Sequence, residues 1–147
     1  MSAAKPPILV SACLLGVRCN HEGEAAKRTL QEALAEHWRV VPICPEVVGG
    51  LPTPRPAAEL QGKRVVNVAG DDVTAAYRRG AEAAVALARS SGAARAVLKA
   101  RSPSCGSAGI YDGTFTKTLV DGEGVTAAAL RAAGVEVTSE EDPLPVP

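Results

Sequence analysis

Three of the four cysteines sit just past short apolar runs, each in a segment rich in turn residues: Val10-Ser-Ala-Cys13-Leu-Leu-Gly16, Ile43-Cys44-Pro45-Glu46 and Ser102-Pro-Ser-Cys105-Gly106. They are far apart in the chain and form no Cys-x-x-Cys pair. Soft thiolates bind zinc and iron–sulfur centres, and turns leave backbone N–H groups free to point at sulfur. Three thiolates without an evident fourth ligand suit two centres. One is a zinc with an open position, although zinc with three protein ligands more often counts a histidine among them. The other is a 4Fe-4S cluster in which one iron stays open to substrate. The bland alternative is that each is a small buried hydrophobe. Only two histidines are present, His21 and His37. His21, in the loop of Cys19, is a candidate fourth ligand; His37 falls on the first expected helix. Cys19 lies in a polar, Gly-containing loop that need not face the same way, and is left outside the ligand set.

The elements that must position these thiols follow from the pattern of apolar residues. Ile8–Ala12 reads as a buried strand. A loop with Gly16, Asn20 and Gly23 leads to a helix over about 24–37, whose inward face is Leu30, Ala33, Leu34 and Trp38. Arg39–Ile43 is a second strand. Four prolines and Gly49-Gly50 between Pro45 and Pro56 argue against any regular element there. Lys63–Val68 reads as a short edge strand, and Asp71-Asp72 caps a long helix over about 73–90, with Tyr77 among its inward residues, stopped by Gly92. Ala94–Leu98 is the third buried strand, Phe115–Val120 a further one, 124–134 a last helix and 135–137 a closing strand. Alternating strands and helices predict an α/β chain with a single-domain, open, mainly parallel Rossmann-like sheet flanked by helices, with long loops at the carboxyl ends of the strands. The domain is expected to span 1–147, with a core over about 8–137 and a loose tail over 139–147. Ligands of such sheets bind beyond the carboxyl ends of the strands. Cys13, Cys44 and Cys105 each follow such an end, and they meet only if their strands are near neighbours.

Composition narrows the partners. Sixteen Lys and Arg balance sixteen Asp and Glu, whereas a binder of polymeric nucleic acid usually carries a basic excess. Aromatic residues make up only 3%, a poor stacking platform for single strands. No apolar run approaches the ~20 residues needed to span a bilayer. Val10-Ser-Ala-Cys13 looks like a lipoprotein cleavage box, but the apolar stretch before it opens with Pro6-Pro7 and falls short of the roughly 7–15 residues of a signal core. The expectation is a cytoplasmic protein, monomeric or a small homo-oligomer, acting on a small molecule, with cysteines that bind metal or do chemistry.

Several motifs occurring in order carry a resemblance. Cys13-Leu-Leu-Gly16, Cys44-Pro-Glu46 followed by Gly49-Gly-Leu-Pro52, Pro54-Arg55-Pro56, Leu98-Lys99, Ser102-Pro-Ser-Cys-Gly106 and Ile110-Tyr-Asp-Gly113 together resemble the bacterial domain-of-unknown-function family numbered 523, whose characterised members are thiouracil desulfidases. The resemblance runs from about Ile8 to Val137. It implies a compact α/β domain holding a 4Fe-4S cluster on Cys13, Cys44 and Cys105. The open iron takes the sulfur of a thiolated nucleobase or nucleotide, and water replaces it on the carbon. It further implies Glu46 as the acid/base residue and a serine of the Ser-Pro-Ser-Cys segment as a participant, Ser102 ahead of Ser104.

Glu46, two residues past a ligand, is placed to serve an incoming water; it is otherwise a surface carboxylate bonding nearby N–H groups. Ser102 precedes a proline and so is biased to extended backbone; it is otherwise a turn residue bonding its own backbone. Arg55 and Lys99 are candidates for an anionic substrate group, with an Arg55 fork onto Glu59 as the alternative. Tyr111 is a candidate for stacking on a base, or plain packing. The chain departs from the family's common Cys-Arg-Tyr-Asp-Gly, reading Cys19-Asn-His-Glu-Gly23, so its substrate preference is expected to differ if that loop touches substrate. Two other readings compete. A non-catalytic nucleotide- or zinc-binding module lacks a Gly-x-Gly-x-x-Gly after the first strand. A thiol enzyme using Cys105 lacks a convincing histidine base.

Overall fold

The structure is a computed structural model and describes residues 4–147; the first three residues of the expected domain lie outside the described residues. Its centre is a four-stranded parallel sheet of β1 (Pro7–Ser11), β2 (Arg39–Ile43), β5 (Arg95–Leu98) and β8 (Glu136–Ser139), in the order β2-β1-β5-β8. Val10 lies opposite Val97, Ser11 opposite Ile43 and Leu98 opposite Ser139. This is the open parallel α/β architecture expected. The chain leaves β1 towards β2 and returns to the far side of β1 as β5. The order therefore reverses between β1 and β5, where open α/β sheets place their ligands.

Alternation along the strands separates two cores. Leu9, Val41, Ile43, Ala96 and Leu98 face α3 (Thr74–Ser91) and α4 (Val125–Ala132), meeting Ala84, Ala88, Ala127 and Leu130. Ile8, Val10 and Val97 face the other way onto Leu14, Leu30, Leu34 and Trp38, beside the short α1 (Gln31–Ala35). With few aromatics available, close approach of small residues does the filling, and glycines make it possible. A Cβ at Gly80 in α3 would run into the carbonyl oxygen of Pro45, and one at Gly49 into that of Ala76.

Several expectations are corrected. The first helix is confined to Gln31–Ala35; before it, the amides of Ala26 and Leu30 donate to the carbonyls of Cys13 and Leu14 instead of continuing a helix. The Pro-rich stretch does hold an element, α2 (Pro45–Val48), with Pro45 in the first turn, where a missing N–H costs nothing. The stretch Lys63–Val68 contributes β4 (Arg64–Asn67), which pairs with β3 (Ala58–Gln61) in a separate hairpin, not at the edge of the main sheet. The strand expected over Phe115–Val120 is β7 (Leu119–Asp121), hairpinned with β6 (Gly109–Tyr111). The segment after β8, expected to be loose, is tied down: Trp38 Nε1 donates to the carbonyl of Pro145 at 2.8 Å, Arg95 to that of Val146, and Leu144 packs on the second core.

Candidate active site

The three cysteines collect at one edge because β2, β1 and β5 are adjacent and parallel. Cys13 is in a 3-10 turn (Ala12–Leu15) directly after β1, closed by Gly16 at φ 91°, a left-handed conformation that glycine adopts without penalty. Cys44 joins β2 to α2. Cys105 lies in the turn after β5, where Ser102 Oγ accepts the N–H groups of Ser104 and Cys105 at 3.0 and 3.1 Å. A Cβ at Gly124 would strike the Ser104–Cys105 peptide, so α4 presses directly on this turn.

Cys13, just past β1, is close enough to Cys44 and to Cys105 that their charges act on one another. Burial first, then Cys44, pushes the Cys13 thiol up to about 11. Burial pushes Cys105 up to about 12, against hydrogen bonds from Ser11 and Ser104 that favour its thiolate. Cys44 goes the other way. A hydrogen bond from Cys19 lowers its pKa most, burial opposes, and the N–H of Val47 and the charge of Arg55 lower it further. All four cysteines are free thiols. Cys19, left outside the ligand set, is buried against Cys44, whose Sγ is 3.6 Å from the Cys19 carbonyl oxygen.

Three soft sulfur donors placed just past neighbouring strands are a set that zinc or an iron–sulfur cluster takes.

Beside Cys44, the first turn of α2 carries Glu46. Its Oε2 accepts Arg55 Nε at 3.0 Å and the Tyr77 hydroxyl at 2.8 Å. Arg55 is 8% exposed. Its Nη1 donates to the carbonyl of Pro52 and to Thr53 Oγ1, and its Nη2 to the carbonyl of Cys19 at 2.9 Å. The Nε, Nη1 and Nη2 groups of the guanidinium thus all donate to protein acceptors. The alternative fork onto Glu59 is absent, because Glu59 Oε1 accepts the N–H groups of Gly113 and Phe115.

Lys99 follows β5, and its charge lowers the Cys13 pKa. Its Nζ is 2.9 Å from Glu140 Oε2 and its side chain is one-third exposed. Ser102 keeps the turn-residue role, with its hydroxyl oxygen accepting two amides, and is half-buried. Ser104 is fully buried, its hydroxyl 2.8 Å from that of Thr126. With no exposed surface, it packs under the Cys105 turn. Tyr111, on β6, is half-buried in a small cleft with Arg101 and Pro103. His21 is exposed beside Glu22, and His37 is exposed at the end of α1.

The residues that sequence reasoning missed are Tyr77, Glu140 and Ser11. The apolar pattern puts Tyr77 inward but not at the site; the signal is its hydroxyl, since a buried phenol needs a partner. Glu140 had none in the sequence, because it depends on β8 ending at the same rim as β5.

A parallel sheet with cysteines after three neighbouring strands, and a carboxylate fixed on a buried arginine beside one of them, defines an α/β protein that gathers three thiols and a carboxylate at one sheet edge. The particular family is shown by comparison. The sequence profile of the 2-thiouracil desulfurase family matches residues 8–142, and the chain belongs to that family. It is 41% identical over 145 residues to the uncharacterized protein YbbK of Bacillus subtilis (strain 168), covering 92% of this chain and 96% of that one. Among solved structures it is similar to a [4Fe-4S]-dependent thiouracil desulfidase, TudS, with a TM-score of 0.88 and 48% identity, over 93% of this chain and 92% of that one.

Proposed function

We propose that this protein is a desulfidase that removes sulfur from a thiolated pyrimidine of the thiouracil or thiouridine-nucleotide type, using a 4Fe-4S cluster held by Cys13, Cys44 and Cys105. The observation that carries the reading is the adjacency of β2, β1 and β5, which brings those three cysteines to one edge beside Glu46. Family membership and the likeness to a [4Fe-4S]-dependent thiouracil desulfidase support it. The set of four free thiols suits a reducing compartment such as the cytoplasm.

When bound, a cluster with three protein ligands supplies an iron with an open position, a Lewis acid that takes up sulfur. The chain's own groups do the rest. The three thiolates hold the centre, and Cys44 is the most readily ionised of them. Glu46 accepts a proton from the incoming water, whose oxygen forms the new bond to carbon as the carbon–sulfur bond breaks. The Ser102 hydroxyl proton is not spent on the amides it serves, and it is available to the leaving sulfur or the new oxygen. Lys99, beside Cys13, receives an anionic substituent when the substrate carries one, in exchange with Glu140. Tyr111 lines the approach to the pyrimidine. The balance is thiolated base plus water giving the oxygenated base plus hydrogen sulfide, with no net oxidation or reduction.

The test is Glu46→Gln in anaerobically reconstituted protein, following uracil and sulfide from 2-thiouracil or uridine from a thiolated nucleotide. The expected result is full cluster content with turnover reduced by about 10²–10⁴, the usual worth of a general acid or base. Unchanged turnover removes Glu46 from the chemistry.

A further inference from the structure

The two donors on Glu46 are unlike in origin and meet on one atom. Arg55 reaches Oε2 from the Pro-rich loop and Tyr77 from the long helix α3. Each offers a single bond to the same oxygen, which fills both of its lone pairs. Among the described residues no donor reaches Oε1. The carboxylate is therefore held by one oxygen and presents the other.

The supports behind these donors are rigid. Tyr77 is 2% exposed, and burial together with the Glu46 charge raises its pKa, so the phenol stays a donor. Gly80 is one turn further along the same face of α3, and its missing side chain lets α2 approach closely enough for the phenol to reach Glu46. Arg55 is braced by the carbonyls of Pro52 and Cys19 and by Thr53 Oγ1, with Cys19 itself packed on Cys44. The same guanidinium thus fixes the Glu46 carboxylate and the loop covering the Cys44 thiol.

We propose that Arg55 and Tyr77 are positioning residues: they clamp Oε2 of Glu46 so that Oε1 alone faces the reaction beside Cys44. This rests on the desulfidase reading above. A committed, buried Arg55 is not a substrate-anion site, and Tyr77 is not merely a core aromatic. Neither touches substrate; both act through Glu46.

The experiment compares wild type, Tyr77→Phe and Arg55→Lys, each alone and combined with Glu46→Gln, in reconstituted holoenzyme. Tyr77→Phe keeps the ring and loses one hydrogen bond, so kcat falls about threefold to tenfold. Arg55→Lys keeps the charge but loses the planar guanidinium that reaches Glu46, Thr53 and the Pro52 and Cys19 carbonyls at once, so kcat falls about 10–100-fold, as for other supporting partners of an active-site group. In both, KM stays within about twofold and the visible spectrum and iron content match wild type, since no hydrogen bond to substrate or cluster is lost. On a Glu46→Gln background neither change lowers the residual rate further, because there is no carboxylate left to aim. Equal losses with and without Glu46, or an unchanged kcat in both variants, overturn the proposal. If Arg55→Lys fails to take up iron, Tyr77→Phe decides alone. A crystal structure of Tyr77→Phe without cluster gives a reading independent of turnover. The expected result is a Glu46 carboxylate rotated away from its wild-type position; an unmoved carboxylate contradicts the clamp. If wild type desulfurates no thiolated pyrimidine, the proposed function falls, and this crystallographic comparison still judges the clamp.

Discussion

At the scale of the residue, the site divides its four thiols by environment. Cys13 and Cys105 are buried and their pKa values raised, whereas the Cys19 thiol first, then the Val47 N–H and the Arg55 charge, lower the pKa of Cys44. A lowered thiol pKa leaves the thiolate populated at neutral pH, and the thiolate is the nucleophile. In metal-free protein, Cys44 should therefore be the first cysteine alkylated by iodoacetamide at pH 7, and its labelling should slow as pH falls through its lowered pKa. Peptide mapping by mass spectrometry checks this; labelling of Cys13 or Cys105 ahead of Cys44 contradicts it. Cluster binding should protect Cys44, since a metal competes with protons for the same thiolate. The chemical types of these residues were legible in the sequence, because cysteine beside Pro or Gly in a turn offers sulfur to free N–H groups. Their partners were not. Arg55 chose Glu46 over Glu59 because the Gly113 and Phe115 amides occupy Glu59, a contact between segments more than fifty residues apart.

At the scale of the element, α2 and α3 form the unit that aims the carboxylate. The short α2 begins with Pro45, carries Glu46 in its first turn, and rests on α3 through Gly49 and Gly80. Gly80→Ala puts a methyl group against the Pro45 carbonyl, and backbone has little room to yield. The expected cost is about 1–3 kcal/mol, as for other overpacked sites, read as a lower midpoint in urea denaturation. Turnover should fall more than iron content, because displacement moves Glu46 from Tyr77 while Cys13 and Cys105 stand on other elements. Equal stability to wild type would mean that the two helices are not in the contact described. Sequence reasoning missed α2 because it weighed proline as a breaker, whereas a proline in the first helical turn is tolerated. It overextended α1 because inward apolar spacing does not reveal that Ala26 and Leu30 send their amides to Cys13 and Leu14. The long helix was legible, since its apolar periodicity is sustained and its ends are marked by Asp72 and Gly92, and the inner parallel strands were legible as short apolar runs between turn residues.

At the scale of the whole molecule, strand order decides whether the three thiols share one edge. Sequence placed each cysteine after a strand but could not make the three strands neighbours; that is settled only by packing, with β1 between β2 and β5. The same order brings β8 beside β5, so that Glu140 reaches Lys99 and Glu141 reaches Arg101 at the rim. The chain after β8 then covers part of the face served by the short α1, through Trp38 and Leu144. Among the described residues no helix is long and apolar enough to cross a membrane. The measurement that bears most directly on the account is iron and acid-labile sulfide per chain after anaerobic reconstitution, in wild type and in single alanine variants of all four cysteines. The account predicts about four of each in wild type, with the broad visible absorbance of such clusters. It predicts retention in Cys19→Ala and loss in Cys13→Ala, Cys44→Ala and Cys105→Ala. An iron-free wild type, or a Cys105→Ala protein that keeps its iron while Cys19→Ala loses it, would contradict the shared centre.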